Sequence, residues 1–182
     1  MADTPKYIVK PLGKESRAAF RSGDQQLDSY FQERAPRDLK EKLSAVFILV
    51  TDAEPDVIIG YYTLSTQHVD ARSLPEELRK RTGRYQKIGT TLLGRLAVAE
   101  SHQNKKLGAL LLVDALRRSL EGTRAVMSFG VVVDAIGDNV VPFYKKFGFV
   151  SLSENRLFLA MKTIEKNFGP SSDYSESFRL SK

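Results

Sequence analysis

An apolar strand, a short polar loop and a long apolar helix follow one another in the middle of this chain. The strand is predicted over residues 92–99 and the loop over residues 100–106. The helix is predicted over residues 107–121, and Gly122 is predicted to end it. Apolar side chains surround much of this helix, so we expect it to be well buried. Because a further apolar run at residues 125–134 predicts another strand, the segment indicates an α/β fold.

The remaining elements are predicted from periodicity and turn residues. The other predicted strands cover residues 6–12, 45–51, 57–65, 149–152 and 156–162, and the other predicted helices cover residues 25–34, 74–82 and 138–146. Asp24 is the predicted N-cap of the first helix, and Gly148 is the predicted C-cap glycine of the last one. We therefore predict one mixed β-sheet flanked by helices on both faces. It forms a single domain over residues 1–168, followed by a mobile polar tail over residues 169–182.

Composition excludes several kinds of site. The chain has no cysteine, so disulfides, thiolate zinc sites and cysteine nucleophiles are excluded, and with two histidines we expect no metal site. The net charge of +6 suits a partner that carries phosphates, although solubility alone also explains it. We expect a cytoplasmic protein, because the sequence shows no signal peptide and no apolar run long enough to span a membrane.

The loop before the central helix has the features of an anion-binding site. The first turn of a helix leaves backbone N–H groups without partners, and the helix dipole makes that end positive. Such an end can bind phosphate or pyrophosphate, and Lys105 and Lys106 add two charges to it. The alternative is an ordinary strand-to-helix connection with solvated lysines.

A second strand, turn and short helix span residues 134–149. Phe143 and Phe147 are four residues apart and share one face of the predicted helix, whereas Tyr144 is offset from them by about 100°. A tyrosine in that position can direct its hydroxyl into a cleft. The alternative is a core tyrosine whose hydroxyl is already hydrogen-bonded.

Together the two segments resemble the GNAT family of N-acetyltransferases. That family has a Gln/Arg-x-x-Gly-x-Gly/Ala loop after its fourth strand and a Phe-Tyr-x-x-x-Gly-Phe signature near its end. Residues 143–149 match the second signature in full, and residues 103–108 match the loop except at Lys106, where the family has glycine. The resemblance covers residues 6–162 and implies a GNAT-like fold with acetyl-CoA as the donor.

The resemblance also implies roles for individual residues. The backbone of Leu96, Ala97 and Val98 would bind the pantetheine arm, and a nearby N–H would stabilise the tetrahedral oxyanion. The pyrophosphate would rest on the backbone of the loop and first helical turn, at Gln103, Asn104, Lys105, Lys106, Leu107, Gly108 and Ala109. Tyr144 would protonate the leaving thiolate, and transfer to the amine would be direct. We expect Lys106 to supply charge to the CoA phosphates but not the backbone geometry that glycine permits.

Three shorter segments, at residues 27–31, 60–64 and 93–98, resemble the acetyltransferase toxins of bacterial toxin–antitoxin pairs. Those enzymes acetylate the free α-amine of aminoacyl-tRNA and so block translation. Their usual partner is a ribbon-helix-helix antitoxin, and dimerisation is common among them. An α-amine on an ester is largely neutral at pH 7, which fits a chain without an obvious catalytic base. The resemblance therefore implies a tRNA-acetylating toxin, with an antitoxin and a second copy of the chain as candidate partners.

A basic segment supplies candidate contacts to the tRNA. Residues 79–87 carry five positive charges, one aromatic side chain and no acid. The candidate contacts are Arg79, Lys80, Arg81, Arg84 and Lys87 of this segment, together with Arg95. The alternative is a solvated charged face. Two other functions stay open: acetylation of a small amine or of a protein amine, and a non-catalytic GNAT-fold binding module in which Lys106 has weakened CoA binding.

Overall fold

The computed structural model describes residues 5–170, which form a mixed sheet with helices. The strands are β1 Tyr7–Pro11, β2 Ala45–Thr51, β3 Gly60–Asp70, β4 Lys87–Val98, β5 Gly130–Asp134, β6 Val150–Ser151 and β7 Arg156–Ala160. The helices are α1 Gln25–Ser29, α2 Ala35–Lys40, α3 Glu76–Lys80, α4 Leu107–Gly122, α5 Val141–Lys146 and α6 Met161–Phe168. A π-helical turn, Tyr30–Arg34, joins α1 to α2.

The sheet has the strand order β1-β2-β3-β4-β5-β7-β6. Strands β4 and β5 run parallel, whereas β1–β2, β2–β3, β5–β7 and β6–β7 pair antiparallel. The parallel pair is connected through α4, as a crossover between parallel strands requires. The predicted α/β class and the mixed sheet are therefore confirmed.

The chain divides into two compact units. The first unit comprises residues 5–64 and 95–115 of the described chain, and the second comprises residues 65–94 and 116–170. Strands β3 and β4 and helix α4 each contribute residues to both units. The assignment of residues 1–168 to one domain stays a prediction, and residues 171–182 of the predicted tail lie outside the described residues.

An aromatic cluster forms the core of the first unit. Phe31 stacks on Tyr61 with their ring centroids 4.1 Å apart, and Phe20 packs edge-on against both rings. The Tyr61 hydroxyl donates to the Leu27 carbonyl at 2.8 Å, so the cluster ties the first helix to β3. The Asp24 carboxylate accepts hydrogen bonds from two N–H groups of α1, which confirms the predicted N-cap.

The second unit packs β5 and β7 closely. Val132 and Phe158 are fully buried there, and Phe129 stacks on Phe158 at 5.8 Å. A Cβ at Gly130 would collide with the Leu159 carbonyl oxygen and the Phe158 ring, so glycine is required at this position. Helix α6, which follows β7 directly, was not predicted, and the predicted strand over residues 156–162 ends at Ala160.

The first helical segment continues past residue 34, where its helix is predicted to end. The helix predicted over residues 25–34 runs on as a π-turn and then as α2 to Lys40. The Ala35 N–H donates to the Tyr30 carbonyl, five residues earlier, and α2 begins at this point. Pro36 lies in the first turn of α2, where its missing N–H leaves no hydrogen bond unmade.

Several strand boundaries differ from the sequence prediction. Strand β3 begins at Gly60 rather than at residue 57 and extends to Asp70, and β4 begins at Lys87 rather than at residue 92. Strands β3 and β4 are neighbours in the sheet, so backbone pairing carries both into polar sequence. Strand β5 begins at Gly130 rather than at residue 125, because the apolar residues before it are largely exposed turn residues.

The two predicted helix-terminating glycines differ. Gly148 has a φ of +92°, the left-handed conformation expected after a helix, so this prediction is confirmed. Gly122 is the last residue of α4, so its predicted position at the end of this helix is confirmed, although its φ is not positive. The chain leaves α4 through turn hydrogen bonds from Thr123 and Arg124 instead. Within residues 5–170, no helix is long and apolar enough to cross a membrane.

Candidate active site

The predicted donor residues Leu96, Ala97 and Val98 form the end of β4, and Ala97 is buried. The next residue, Ala99, donates its N–H to the Ile59 carbonyl at 3.0 Å. A Cβ at Gly60 would lie 3.1 Å from the Ala97 carbonyl oxygen and would also crowd a leucine side chain. Backbone therefore approaches backbone closely at the end of β4, and the glycine permits this approach.

Gln103 fixes the start of the loop through its side chain. Its Nε2 donates to the Ser22 carbonyl at 2.8 Å and to the Val98 carbonyl at 3.1 Å. These two bonds tie the loop to the end of β4 and to the segment before α1. Because this amide already has both partners, Gln103 contributes to the loop's shape rather than offering a side chain to a ligand.

The loop reaches α4 through two residues with left-handed backbone. Asn104 has a φ of +62° and Lys106 a φ of +61°. Asparagine tolerates this conformation well, whereas lysine adopts it at a cost. Lys106 thus has the left-handed backbone that the family's glycine would adopt without strain. The expectation that lysine could not supply this geometry is wrong.

The N-terminus of α4 is open to an anion. The Leu110 N–H donates to the Lys106 carbonyl at 3.2 Å, as the first bond of the helix. No atom of residues 5–170 accepts a hydrogen bond from the N–H groups of Leu107, Gly108 or Ala109. The first turn contains no acidic residue. The loop and helix therefore present three backbone donors beside two exposed lysines, Lys105 and Lys106.

Tyr144 lies on α5 in the second unit and is 9% exposed. Its ring packs edge-on against Phe143 and Phe149, with centroids 5.1 and 5.5 Å away. Within residues 5–170 its hydroxyl has no hydrogen-bond partner, yet it is not among the fully buried unpaired oxygens. Burial raises the pKa of the Tyr144 hydroxyl to about 12. The side chain is thus a fixed, protonated donor whose oxygen reaches the surface.

The basic segment 79–87 is exposed apart from Thr82, which is buried. Lys80 forms an exposed ion pair with Glu76 at 2.9 Å, and the Arg81 guanidinium lies 5.3 Å from the centre of the Phe129 ring. Tyr85 is 76% exposed. An open groove of about 1060 Å³ in the second unit is lined on one side by residues of this segment.

Arg95 differs from the other predicted tRNA contacts, because it lies in the first unit and is half-buried. Its guanidinium carbon lies 3.5 Å from the centroid of the Tyr30 ring. The Tyr30 hydroxyl donates to Asp38 Oδ2 at 2.9 Å. No sequence motif indicates this arrangement, since no short-range spacing relates Tyr30 or Asp38 to Arg95.

A family model described as an acetyltransferase (GNAT) domain matches residues 43–151. This chain belongs to the GNAT family. The GNAT match begins just before β2 and ends with β6, so it includes the end of β4, the loop before α4 and Tyr144. The predicted family and fold are confirmed.

Similar GNAT proteins include toxins. A protein of Mycobacterium tuberculosis described as a tRNA-acetylating toxin is 29% identical over 131 residues, covering 72% of this chain and 76% of that protein. The solved structure of AtaT complexed with acetyl-methionyl-tRNAfMet has 27% identity and a TM-score of 0.81, covering 88% of this chain and 98% of that one. A tyrosine-to-phenylalanine variant of AtaT, bound to the C-terminus of the antitoxin AtaR and acetyl-CoA, has 25% identity and a TM-score of 0.74, covering 88% and 96%.

Proposed function

We propose that this protein is a toxin that transfers the acetyl group of acetyl-CoA to the α-amine of aminoacyl-tRNA. The observation that carries the proposal is the similarity to AtaT, which was solved with acetyl-methionyl-tRNAfMet and matches nearly all of the described chain. The curated relative that is described as a tRNA-acetylating toxin supports the same reaction. The product is an aminoacyl-tRNA with a blocked amine, so translation stops. The reaction takes place in the cytoplasm, where the charged tRNA is found.

The proposed acetyl-CoA site lies in the first unit. The N–H groups of Leu107, Gly108 and Ala109, with Lys105 and Lys106, supply the charge and the free donors that a pyrophosphate requires. Leu96, Ala97 and Val98 are the proposed backbone contacts of the pantetheine arm, and Asn104 gives the loop its turn. An N–H near Ala97 or Val98 would stabilise the tetrahedral oxyanion, which is worth about 3 kcal/mol in comparable sites.

Tyr144 is the proposed general acid. The amine nitrogen attacks the thioester carbon, the C–S bond breaks, and the thiolate takes the phenolic proton. The amine loses a proton to solvent, and the tyrosinate regains a proton from solvent before the next turnover. A hydroxyl with a pKa of about 12 is fully protonated at neutral pH, so it is available as the donor in every turnover. Its lack of a protein partner within residues 5–170 leaves the hydroxyl ready for a ligand.

The basic segment is the proposed contact to the tRNA backbone. Arg81, Tyr85 and Lys87 line the groove of the second unit, and Lys162 adds a further cation there. Clusters of exposed cations with an aromatic side chain are typical of surfaces that bind single-stranded nucleic acid. Arg79, Lys80 and Arg84 extend the same charge along the exposed segment.

Two partners are also proposed. AtaT binds the C-terminus of its antitoxin AtaR, which supports an antitoxin as a partner of this chain. We propose a ribbon-helix-helix protein for that role, and a second copy of this chain as the other partner. Co-purification of the tagged protein from its native host, followed by mass measurement of the complex, tests both assignments.

Transfer of labelled acetyl groups to a pool of charged tRNA tests the proposed reaction. We expect label on charged tRNA but not on uncharged tRNA, and a loss of about 10²–10⁴-fold in kcat for Tyr144→Phe. Tyr7→Phe, which removes a hydroxyl from β1, is the matched control. Intact acetyl-CoA binding without label on tRNA would instead favour a small amine or a protein amine. If the protein neither binds acetyl-CoA nor labels tRNA, a non-catalytic binding module would be favoured.

Charge reversal tests the basic segment. Replacing Arg79, Lys80 and Arg81 together by glutamate is expected to abolish acetylation of charged tRNA, because three phosphate contacts become repulsive. The control reverses three exposed lysines outside the segment, Lys6, Lys14 and Lys166, so that the net charge changes equally. If both triple variants lose the same activity, or neither loses any, the segment has no specific role.

A further inference from the structure

Arg95, a predicted tRNA contact, belongs to a stack of three side chains in the first unit. The planar guanidinium of Arg95 lies 3.5 Å from the centroid of the Tyr30 ring, a separation typical of close cation–π stacking. The Tyr30 hydroxyl in turn donates to Asp38 at 2.9 Å. One face of Arg95 is therefore covered by an aromatic ring, and that ring is fixed from behind by a carboxylate.

The fold holds Tyr30 rigidly. Tyr30 is 4% exposed and is the first residue of the π-turn, whose shifted hydrogen bond from Ala35 ends on the Tyr30 carbonyl. π-Turns inside helices occur frequently at functional sites. Burial and the Asp38 carboxylate raise the pKa of the Tyr30 hydroxyl to about 12, so this hydrogen bond persists at any physiological pH.

Arg95 itself is left without an anion. Within residues 5–170, no carboxylate pairs with the Arg95 guanidinium and no atom accepts a hydrogen bond from it. Its nitrogens are also absent from the fully buried unpaired atoms, so their N–H donors reach the solvent. Stacking on Tyr30 thus fixes the plane of the Arg95 guanidinium, while its N–H donors have no protein acceptor within residues 5–170.

The position of Arg95 connects it with the acceptor. Arg95 directly precedes Leu96, and strand alternation places it on the same face as Ala97. Ala97 and Tyr30 belong to one core cluster, so this face of β4 is the one that packs on the first helices. A group bound by Arg95 would thus lie beside the strand segment proposed to hold the thioester.

We propose that Arg95, stacked on Tyr30, binds a phosphodiester of the acceptor RNA, and that Tyr30 and Asp38 are positioning residues for it. The planar guanidinium can donate two parallel hydrogen bonds to one phosphate, whereas a lysine ammonium cannot reproduce this paired geometry. This inference rests on the proposed function. Phosphate could also come from acetyl-CoA, so the experiment separates the two sources.

The test compares two acceptors that carry the same aminoacyl group. One is aminoacyl-tRNA, and the other is an aminoacyl-adenosine without phosphate. For Arg95→Gln we expect kcat/KM on aminoacyl-tRNA to fall about 10–100-fold, whereas on the phosphate-free acceptor it changes less than about twofold. Arg95→Lys should recover only part of the loss, since it keeps the charge but neither the fork nor the stack. Arg124→Gln is the control for losing one positive charge.

The salt dependence provides a second readout that a purely structural role would not change. Loss of one phosphate contact should reduce the slope of log kcat/KM against log salt by about one for the RNA acceptor. Tyr30→Phe keeps the ring but loses the hydrogen bond to Asp38. We therefore expect kcat/KM on aminoacyl-tRNA to fall less than for Arg95→Gln, again with little change on the phosphate-free acceptor.

The outcomes separate the inference from the function on which it rests. An equal loss on both acceptors, or a raised KM for acetyl-CoA with an unchanged KM for tRNA, would overturn the inference alone. Wild-type protein without activity on charged tRNA would overturn the proposed function, and this inference would fall with it. A selective loss on aminoacyl-tRNA with a reduced salt slope would support both.

Discussion

Lys106, in the loop before α4, has a left-handed backbone conformation. Replacing it should change both the stability of the protein and its affinity for acetyl-CoA. A residue with a side chain at positive φ costs about 1–2 kcal/mol relative to the right-handed conformation. Glycine avoids that cost but loses about 0.5–1 kcal/mol more chain entropy on folding. The balance predicts that Lys106→Gly, at a φ of +61°, raises the free energy of unfolding by up to about 1.5 kcal/mol. In a chain of this size, each 1 kcal/mol raises Tm by about 2–4 °C.

The matched variant Lys106→Ala separates charge from backbone strain. Alanine keeps the Cβ and therefore the strain, but it removes the ammonium group, as glycine does. If Lys106 contacts a CoA phosphate, both variants should bind acetyl-CoA about 5–10-fold more weakly at low salt. The deficit should shrink near 1 M salt, where the Debye length falls to about 3 Å.

Thermal unfolding and calorimetric titration of acetyl-CoA across a salt series check both parts. Lys166→Ala, which removes an exposed lysine from α6, is the control for the loss of charge. If Lys106→Gly binds acetyl-CoA as well as wild-type protein at every salt concentration, the direct phosphate contact is refuted. If its Tm is no higher than that of Lys106→Ala, the argument from backbone strain is refuted.

Three further predictions concern the site and the core. Because burial raises the pKa of Tyr144 to about 12, kcat should not decrease between pH 7 and 9.5 through ionisation of this hydroxyl; a pH profile with a falling limb near pH 8 would contradict this. Gln103→Ala removes the two hydrogen bonds that hold the loop, so KM for acetyl-CoA should rise about 3–10-fold with a smaller change in kcat, as steady-state kinetics would show. Gly130→Ala forces a Cβ against β7 and should lower the free energy of unfolding by about 1–3 kcal/mol, measured by urea unfolding.

The elements that sequence predicts well are those with strong local signals. Strand β2 and helix α4 begin where their apolar patterns begin, and Asp24 caps α1 as its position suggests. The loop before α4 and the Tyr144 signature can also be singled out from the sequence, because each consists of residues close together in the chain. Their roles in the reaction stay predictions. Local pattern therefore defined the α/β class, the family and the candidate residues.

What sequence could not predict depends on contacts between distant residues. Strand β4 extends to Lys87 because a neighbouring strand pairs with it, although that end of the strand is polar. The left-handed backbone of Lys106 follows from the loop's attachment, which Gln103 supplies through carbonyls on two other segments. The stack of Arg95 on Tyr30 joins residues far apart in the chain, so no motif indicates it.

The proposed contacts to acetyl-CoA and those to the tRNA use different chemical groups. This difference gives a reason why related chains could share the acetyl donor but differ in the acceptor. The proposed donor site uses mainly backbone N–H groups and two exposed lysines, so a lysine can replace the family's glycine without removing the helix N-terminus. The proposed acceptor contacts are side chains: Arg95 on its tyrosine and the cations of residues 79–87. Backbone donors persist through substitution, whereas side-chain contacts change with each substitution. Among proteins related at this level of identity, we therefore expect acetyl-CoA use to be shared, and the choice of aminoacyl-tRNA to follow from a few acceptor-side residues.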